Sequence, residues 1–268
     1  MKVAIMGCCG QLGKQLVSYI HTNPDITIVA GVEHKAHKEI DQDLGLVSHL
    51  GVELKILVSK NPQEAIQKAD VVIDFCNAYS SIKHIALCAK LKVPVVVGTT
   101  GFSEAQLKEI NEYSKDIPIV KASNMSLGVN MLIEIISILA QSLPDQGFDV
   151  EITEIHHKNK IDSPSGTAIS LANAILKAQK KTYNNNVRVG RNGLIGPRIP
   201  GEIGISSVRG GDVIGEHKVM FLGEGETIEI KHTALNRKVF CVGAVRAVLW
   251  IKYRKPGLYS MRDVLNIS

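Results

Sequence analysis

Lys2-Val3-Ala4-Ile5-Met6-Gly7-Cys8-Cys9-Gly10-Gln11-Leu12-Gly13 is an apolar run that stops at a glycine turn. The run has the length and content of a buried strand. Leu12, Leu16, Val17 and Ile20 then recur at helical spacing. A strand, a Gly-x-x-Gly-x-x-Gly turn and a helix together suit the pyrophosphate of a dinucleotide. Gly7 permits the tight turn, Gly10 lets phosphate approach the backbone, and Gly13 lets the helix pack close to the sheet. The bland alternative is a strand-to-helix turn with no ligand. Met1-Lys2 leads straight into this run, without a signal-peptide pattern.

The same alternation continues outward. Strands are expected at Ile26–Gly31, Val52–Val58, Val71–Phe75, Val93–Val97 and Ile117–Lys121, with helices at Pro62–Lys68, through Ile82–Ala89 and at Glu104–Lys115. Such an order predicts an α/β fold, a Rossmann-like doubly wound parallel sheet. Ligands of these sheets bind beyond the carboxyl ends of the strands. Gly7, Cys8, Cys9, Gly10, Gln11 and Leu12 occupy one such end, and Glu33 a second. Gly98, Thr99 and Thr100 form the third, and Ala122, Ser123, Asn124 and Met125 the fourth. Glu33 stands about 20 residues past the glycines, where an acid meets the ribose hydroxyls of NAD. His34 and Lys35 beside it suit a 2′-phosphate instead, so NADH and NADPH both stay open.

After Asn124 the pattern changes. An apolar helix, Leu127–Leu143, is too short to span a bilayer. A strand, Val150–Ile155, leads into Glu154-Ile155-His156-His157-Lys158-Asn159-Lys160-Ile161-Asp162-Ser163-Pro164-Ser165-Gly166-Thr167. Two imidazoles and an ammonium sit here beside a predicted helix start, whose unpaired N–H groups suit an anion. The bland alternative is a solvated basic turn. Adjacent strand residues point to opposite faces, so the backbone must turn at or just after His157 if both histidines are to serve one pocket. Ile203–Arg209, Val213–Phe221 and Thr227–His232 read as antiparallel strands separated by glycine turns. Gly190–Gly201 is a long loop of the kind that often carries function. Val242–Tyr253 reads as an apolar helix. The expected second domain is α+β with a mixed, largely antiparallel sheet. Glu154 is expected to hold a histidine. Asp162 reads as structural, as do His217 and His232, which lack local partners. Arg209 is not placed.

Composition narrows the classes. The chain has 268 residues, 45% hydrophobic and 21% charged, with a net charge of +5. Its basic residues are scattered and aromatics are few, which disfavours nucleic-acid binding and fits anionic small molecules. Five cysteines without a Cys-x-x-Cys pair suit a reducing, cytoplasmic setting. No membrane partner and no metal are expected.

The sequence resembles the 4-hydroxy-tetrahydrodipicolinate reductase (dihydrodipicolinate reductase) family over nearly its whole length. The resemblance rests on the glycine turn, Gly98-Thr99-Thr100-Gly101, Ser123-Asn124, Gly128-Val129-Asn130 and the run from Glu154 to Thr167. It extends through Ser207–Asp212, Gly215-Glu216-His217 and Gly257–Asp263. It implies an oxidoreductase of lysine biosynthesis via diaminopimelate, acting on a cyclic dicarboxylate with NADH or NADPH, usually as a homotetramer. By position it assigns proton donation to His156 and Lys160 and substrate-carboxylate contacts to His157, Gly166 and Thr167. It gives the four strand ends, Glu33 among them, to the cofactor. It implies a dinucleotide-binding domain over 1–125, a substrate and oligomerisation domain over 126–234, and a segment, 235–268, returning to the first. The cleft between the domains would set the acid cluster opposite the nicotinamide. Relatives commonly carry Arg-Met where this chain has Gln11-Leu12, and Phe where it has Met125. Two rival readings stand beside it: a semialdehyde-type dehydrogenase with a nucleophilic cysteine, and a non-catalytic NAD(H) sensor.

Overall fold

The computed structural model describes residues 1–143 and 147–267, so Ser268, the end of the C-terminal segment, lies outside it. The chain divides into two compact units, Met1–Leu127 with the segment from Arg237 onward, and Gly128–Asn236.

The first unit contains β1 (Lys2–Met6), α1 (Gln11–His21), β2 (Thr27–Val32), α2 (Leu44–Val47), β3 (Val58–Ser59) and α3 (Pro62–Gln67). It continues with β4 (Val71–Asp74), α4 (Ala78–Leu91), β5 (Val95–Val97), α5 (Glu104–Tyr113) and β6 (Pro118–Lys121). Seven strands, one of them contributed by the C-terminal segment, pair in parallel in one sheet. Alternate side chains feed two cores. Val3 and Ile5 join Leu16, Val17 and Ile73 on one face, while Ala4 and Met6 join Val72, Val95 and Ile119 on the other. Both faces are covered, which is why these strands read as unbroken apolar runs. β1 and β4 are neighbours, and the chain order diverges on either side of them. The crevice at the carboxyl ends of such a divergence is the usual ligand site of the fold.

The strand expected at Val52–Val58 is a correction. Only Val58–Ser59 joins the sheet, and Leu57 makes an isolated bridge to Asp43. Asp43 organises the preceding segment instead: its carboxylate accepts N–H bonds from Gly45, Leu46, Leu54 and Ile56. Backbone donors that would feed a ladder are already satisfied there.

The second unit holds all but the first residue of α6 (Leu127–Ser142), then β7 (Asp149–His156), α7 (Gly166–Ala178), α8 (Tyr183–Asn186) and β8 (Val187–Val189). β9 (Ile203–Arg209), β10 (Gly215–Leu222) and β11 (Thr227–Ala234) complete it. Its sheet runs in the order β11, β10, β7, β9, β8. β10 pairs antiparallel with both β11 and β7, but β7–β9 and β9–β8 are parallel. β9 and β10 run in opposite directions, as expected, but β7 lies between them. Gly210-Gly211-Asp212 carries the chain across the end of β7, and the reading from turn residues alone could not tell that crossing from a hairpin. α9 (Lys238–Ile251), β12 (Gly257–Tyr259) and α10 (Met261–Val264) belong to the first unit, and β12 pairs with β6. Among the described residues no helix is long and apolar enough to cross a membrane.

Candidate active site

In the first unit the glycine turn is built by backbone bonds. The N–H groups of Gly7 and Cys8 both donate to the Val32 carbonyl, and Gly10 N–H donates to Gly7 O. Gly7 has φ +78°, and a Cβ on Gly13 would lie 2.1 Å from Gly7 O. α1 therefore sits hard against the turn only because residue 13 lacks a side chain. Glu33 follows β2 and closes the site. Its Oε2 accepts the Cys9 N–H at 3.1 Å and its Oε1 the His34 N–H at 2.9 Å. A cavity of about 830 Å³ opens here, lined by Gly7, Gly10, Glu33, Lys35, Cys76 and His84 among others. An acid at the second strand end, a close-packed glycine turn and an adjoining cavity fit a dinucleotide.

Several expected cofactor residues turn their side chains inward. Cys8 and Cys9 belong to the core and are buried, so they offer the cleft only backbone. Contact with Cys9 and burial push the Cys8 thiol pKa far up. Met125 is also a core residue. Thr99 is buried, and its hydroxyl donates to Asp74 Oδ1 at 3.1 Å while accepting from the Cys76 N–H. Gln11, Thr100 and Ser123 are exposed, while Leu12, Gly98, Ala122 and Asn124 are half-buried. Sequence reading missed one pair altogether. Asp74, fully buried at the end of β4, lies 2.6 Å from His84 Nδ1. Nothing local in sequence linked a strand end to the middle of the next helix.

In the second unit, β7 alternates with period two and sends Ile152, Glu154 and His156 to the buried face. The strand ends at His156. Lys160 N–H donates to His157 O, closing a turn there. The glycine crossing seals this end, with Gly210 N–H donating to His156 O and Lys158 N–H to Gly211 O. Glu154 has no exposed surface and is the hub. His156 Nδ1 lies 2.5 Å from its Oε2. Arg209 grips both oxygens, Nη1 at 2.8 Å and Nη2 at 2.7 Å, and the Ser165 N–H donates to Oε1 at 3.1 Å. Burial raises the Glu154 pKa, but Arg209, Ser207, His156 and Ser165 outweigh it and hold the carboxyl down to about 2. It is ionised at neutral pH and takes the His156 Nδ1–H.

Burial lowers the pKa of His156, and Glu154 opposes that drop. The His217 ring stands edge-on to His156 at 5.1 Å. Its Nε2 lies 2.9 Å from Ser165 Oγ, so it does have a partner, one far away in sequence. Ser165 caps α7, accepting the Ala168 N–H at 3.1 Å. Lys160 Nζ is 2.7 Å from Asp162 Oδ1, and that ammonium holds the Asp162 carboxyl below its ordinary range. His157 is half-buried at the turn, Gly166 is exposed and Thr167 is half-buried at the start of α7. The fold thus gathers His156, Lys160 and the α7 start around Glu154. Arg209 and His217 are the additions that sequence reading left unplaced or structural.

The long loop has a visible structural task. Arg191 pairs with Glu151 and Glu202, and Arg198 with Glu151 and Asp149, pinning residues 190–201 to the sheet. Burial raises the thiol pKa of Cys88 and Cys241, and burial with Asp74 raises that of Cys76, so these three are not poised as nucleophiles.

Comparison with known proteins agrees across the chain. Residues 1–125 match the family description "Dihydrodipicolinate reductase, N-terminus", and residues 128–265 match "Dihydrodipicolinate reductase, C-terminus". The 4-hydroxy-tetrahydrodipicolinate reductase of Syntrophotalea carbinolica is 40% identical over 268 residues, covering all of both chains. That of Roseobacter denitrificans is 41% identical over 268 residues, covering all of this chain and 98% of its own. Among solved structures, dipicolinate-bound dihydrodipicolinate reductase from Paenisporosarcina sp. TG-14 superposes with a TM-score of 0.79 at 28% identity. It covers 100% of this chain and 99% of its own.

Proposed function

The chain belongs to the dihydrodipicolinate reductase family, and we propose that its residues divide the reduction of 4-hydroxy-tetrahydrodipicolinate between the two units. The overall reaction yields tetrahydrodipicolinate and water, with NADH or NADPH as reductant, in the diaminopimelate route to lysine. Bound coenzyme supplies the hydride. Gly7–Leu12, Glu33, Gly98–Thr100 and Ala122–Met125 hold it, with Cys8, Cys9 and Met125 contributing backbone rather than side chain.

Negative charge gathering on the conjugated imine has to be met by a proton. His156 and Lys160 hold it. Since Nδ1 of His156 is committed to Glu154, its Nε2 is the nitrogen that exchanges protons. Lys160 Nζ lies 2.7 Å from Asp162 Oδ1, an ion pair that fixes where the ammonium sits as it shares the donor role. The substrate carboxylates anchor on Gly166 and Thr167 at the positive end of α7, with His157 adding a charge-assisted bond. The observation that carries this reading is the buried Glu154 carboxylate bonded to both His156 Nδ1 and the Ser165 N–H.

The test is turnover with NADH and NADPH in parallel, on substrate made in situ from aspartate semialdehyde and pyruvate. His156→Ala and Lys160→Ala should each lower kcat by roughly 10²–10⁴-fold, the worth of a placed acid, while NADH binding survives. Normal turnover in both variants refutes their role. We also propose a cytoplasmic homotetramer. Five free cysteines suit a reducing compartment, and light scattering at micromolar concentration should return four times the chain mass.

A further inference from the structure

Glu154 cannot touch substrate, since it has no exposed surface, yet it makes four bonds. A carboxylate offers about four lone-pair sites. Arg209 takes two of them, His156 one and the Ser165 amide one. These partners come from β9, β7 and the start of α7, and the group cannot rotate toward one without releasing the others.

Resting on the function proposed above, we propose that Glu154, clamped by Arg209, is a positioning residue that joins the proton donor His156 and the first turn of α7 into one rigid unit. The aim of the acid and the place of the carboxylate cradle are then set by a single side chain. Ser165 is the link on the cradle side. Its amide is fixed by Glu154, while its hydroxyl caps α7 and reaches His217. Arg209 is the link to the crossing after β9, where its Nη2 also donates to Asp162 O at 2.7 Å. One guanidinium thereby ties the hub to the loop carrying Lys160.

The charges facing His156 come from every element around it: Glu154 on its own strand, Lys160 on the loop beyond, Arg209 on β9 and His217 on β10. Only Glu154 favours the imidazolium. Burial, Lys160 and Arg209 all oppose it. Replacing Glu154 by the neutral amide therefore makes His156 harder to protonate and leaves Arg209 uncompensated.

The experiment compares full-length wild type, Glu154→Gln and Arg209→Lys. It reads kcat, affinity for NADH and for dipicolinate, the pH profile of kcat/KM and the His156 ring titration by NMR. For Glu154→Gln we expect kcat down about 100-fold and dipicolinate affinity down about fivefold, the worth of one hydrogen bond. NADH affinity should stay unchanged, and both the His156 titration and the alkaline limb of the profile should move to lower pH. Arg209→Lys keeps the charge but loses the two-pronged grip, and should fall between the two. If Glu154→Gln does not fold, Arg209→Lys carries the same readouts. Unchanged kcat with an unmoved His156 titration in the folded variant overturns the proposal. Wild type that titrates as described but does not oxidise NADH with the dicarboxylate overturns the functional reading instead.

Discussion

Ser165 Oγ and His217 Nε2 share a hydrogen bond of 2.9 Å inside the second unit. Oγ also accepts the Ala168 N–H, so one hydroxyl joins the ring to the start of α7. His217 is uncharged at neutral pH. Burial, with His156 next, lowers its pKa to about 4. In the unfolded chain the value is about 6.5. Between those limits the unfolded chain binds more protons, so stability is full above pH 6.5 and is lost as pH falls toward 4. The share of His217 is of the order of 3 kcal/mol. His156 and His232 are lowered too and act in the same direction. Melting temperature should decline from pH 6.5 to 4, and His217→Gln should decline less steeply. Parallel curves would contradict the neutral assignment.

A methyl group separates fold from chemistry at two glycines. A Cβ on Gly215 would lie 3.1 Å from His156 Nε2. Gly215→Ala should crowd the working nitrogen and lower kcat at least tenfold, about 1.4 kcal/mol of barrier, with little change in NADH affinity. Gly166 has nothing within 4 Å of such a Cβ. Gly166→Ala should fold as the parent does and raise the KM for the dicarboxylate. A change in melting temperature without a change in KM would remove Gly166 from the cradle.

Glu33 receives two backbone N–H groups and keeps acceptor capacity beyond them. If it bonds the ribose hydroxyls of NADH, removing a charged acceptor costs about 1.5–3 kcal/mol. Fluorescence titration of Glu33→Ala should show NADH affinity falling roughly ten- to a hundredfold. NADPH should lose less if its 2′-phosphate meets His34 and Lys35. Equal losses for the two coenzymes would place the adenosine ribose elsewhere.

Cys76 lines the cleft, and burial with Asp74 pushes its pKa up. The thiolate is the reactive form. Iodoacetamide at pH 7.5 should therefore modify Cys76 slowly, and NADH should slow it further. Rapid stoichiometric labelling with immediate loss of turnover would revive a cysteine mechanism.

Much of the first unit was legible because its strands are buried on both faces and end in small or acidic residues. Period-two burial along Asp149–His156 was likewise readable, and so was Glu154 as the holder of a histidine. What sequence hid was long-range. Arg209 meets Glu154, and His217 meets Ser165, only after β9 and β10 come to flank β7. Gly210-Gly211-Asp212 has the composition of a hairpin turn, and composition does not register whether a third strand lies beneath. The inward turn of Cys8 and Thr99 was hidden for a similar reason, since a residue at a strand end can offer a cleft either its side chain or its backbone.

The last strand of the first sheet has a consequence for synthesis. β12 pairs Gly257 to Pro118, Leu258 to Ile119 and Tyr259 to Val120. Cys241, Ala244 and Val248 of α9 share a core with Val3 and Ile5. The first unit therefore waits, missing an edge and part of its interior, until residue 259 has left the ribosome. Gly128–Asn236 emerges whole well before that. We expect the inserted unit to acquire structure first on the nascent chain, with the glycine turn at residues 7–13 among the first residues made and the last to gain its full support.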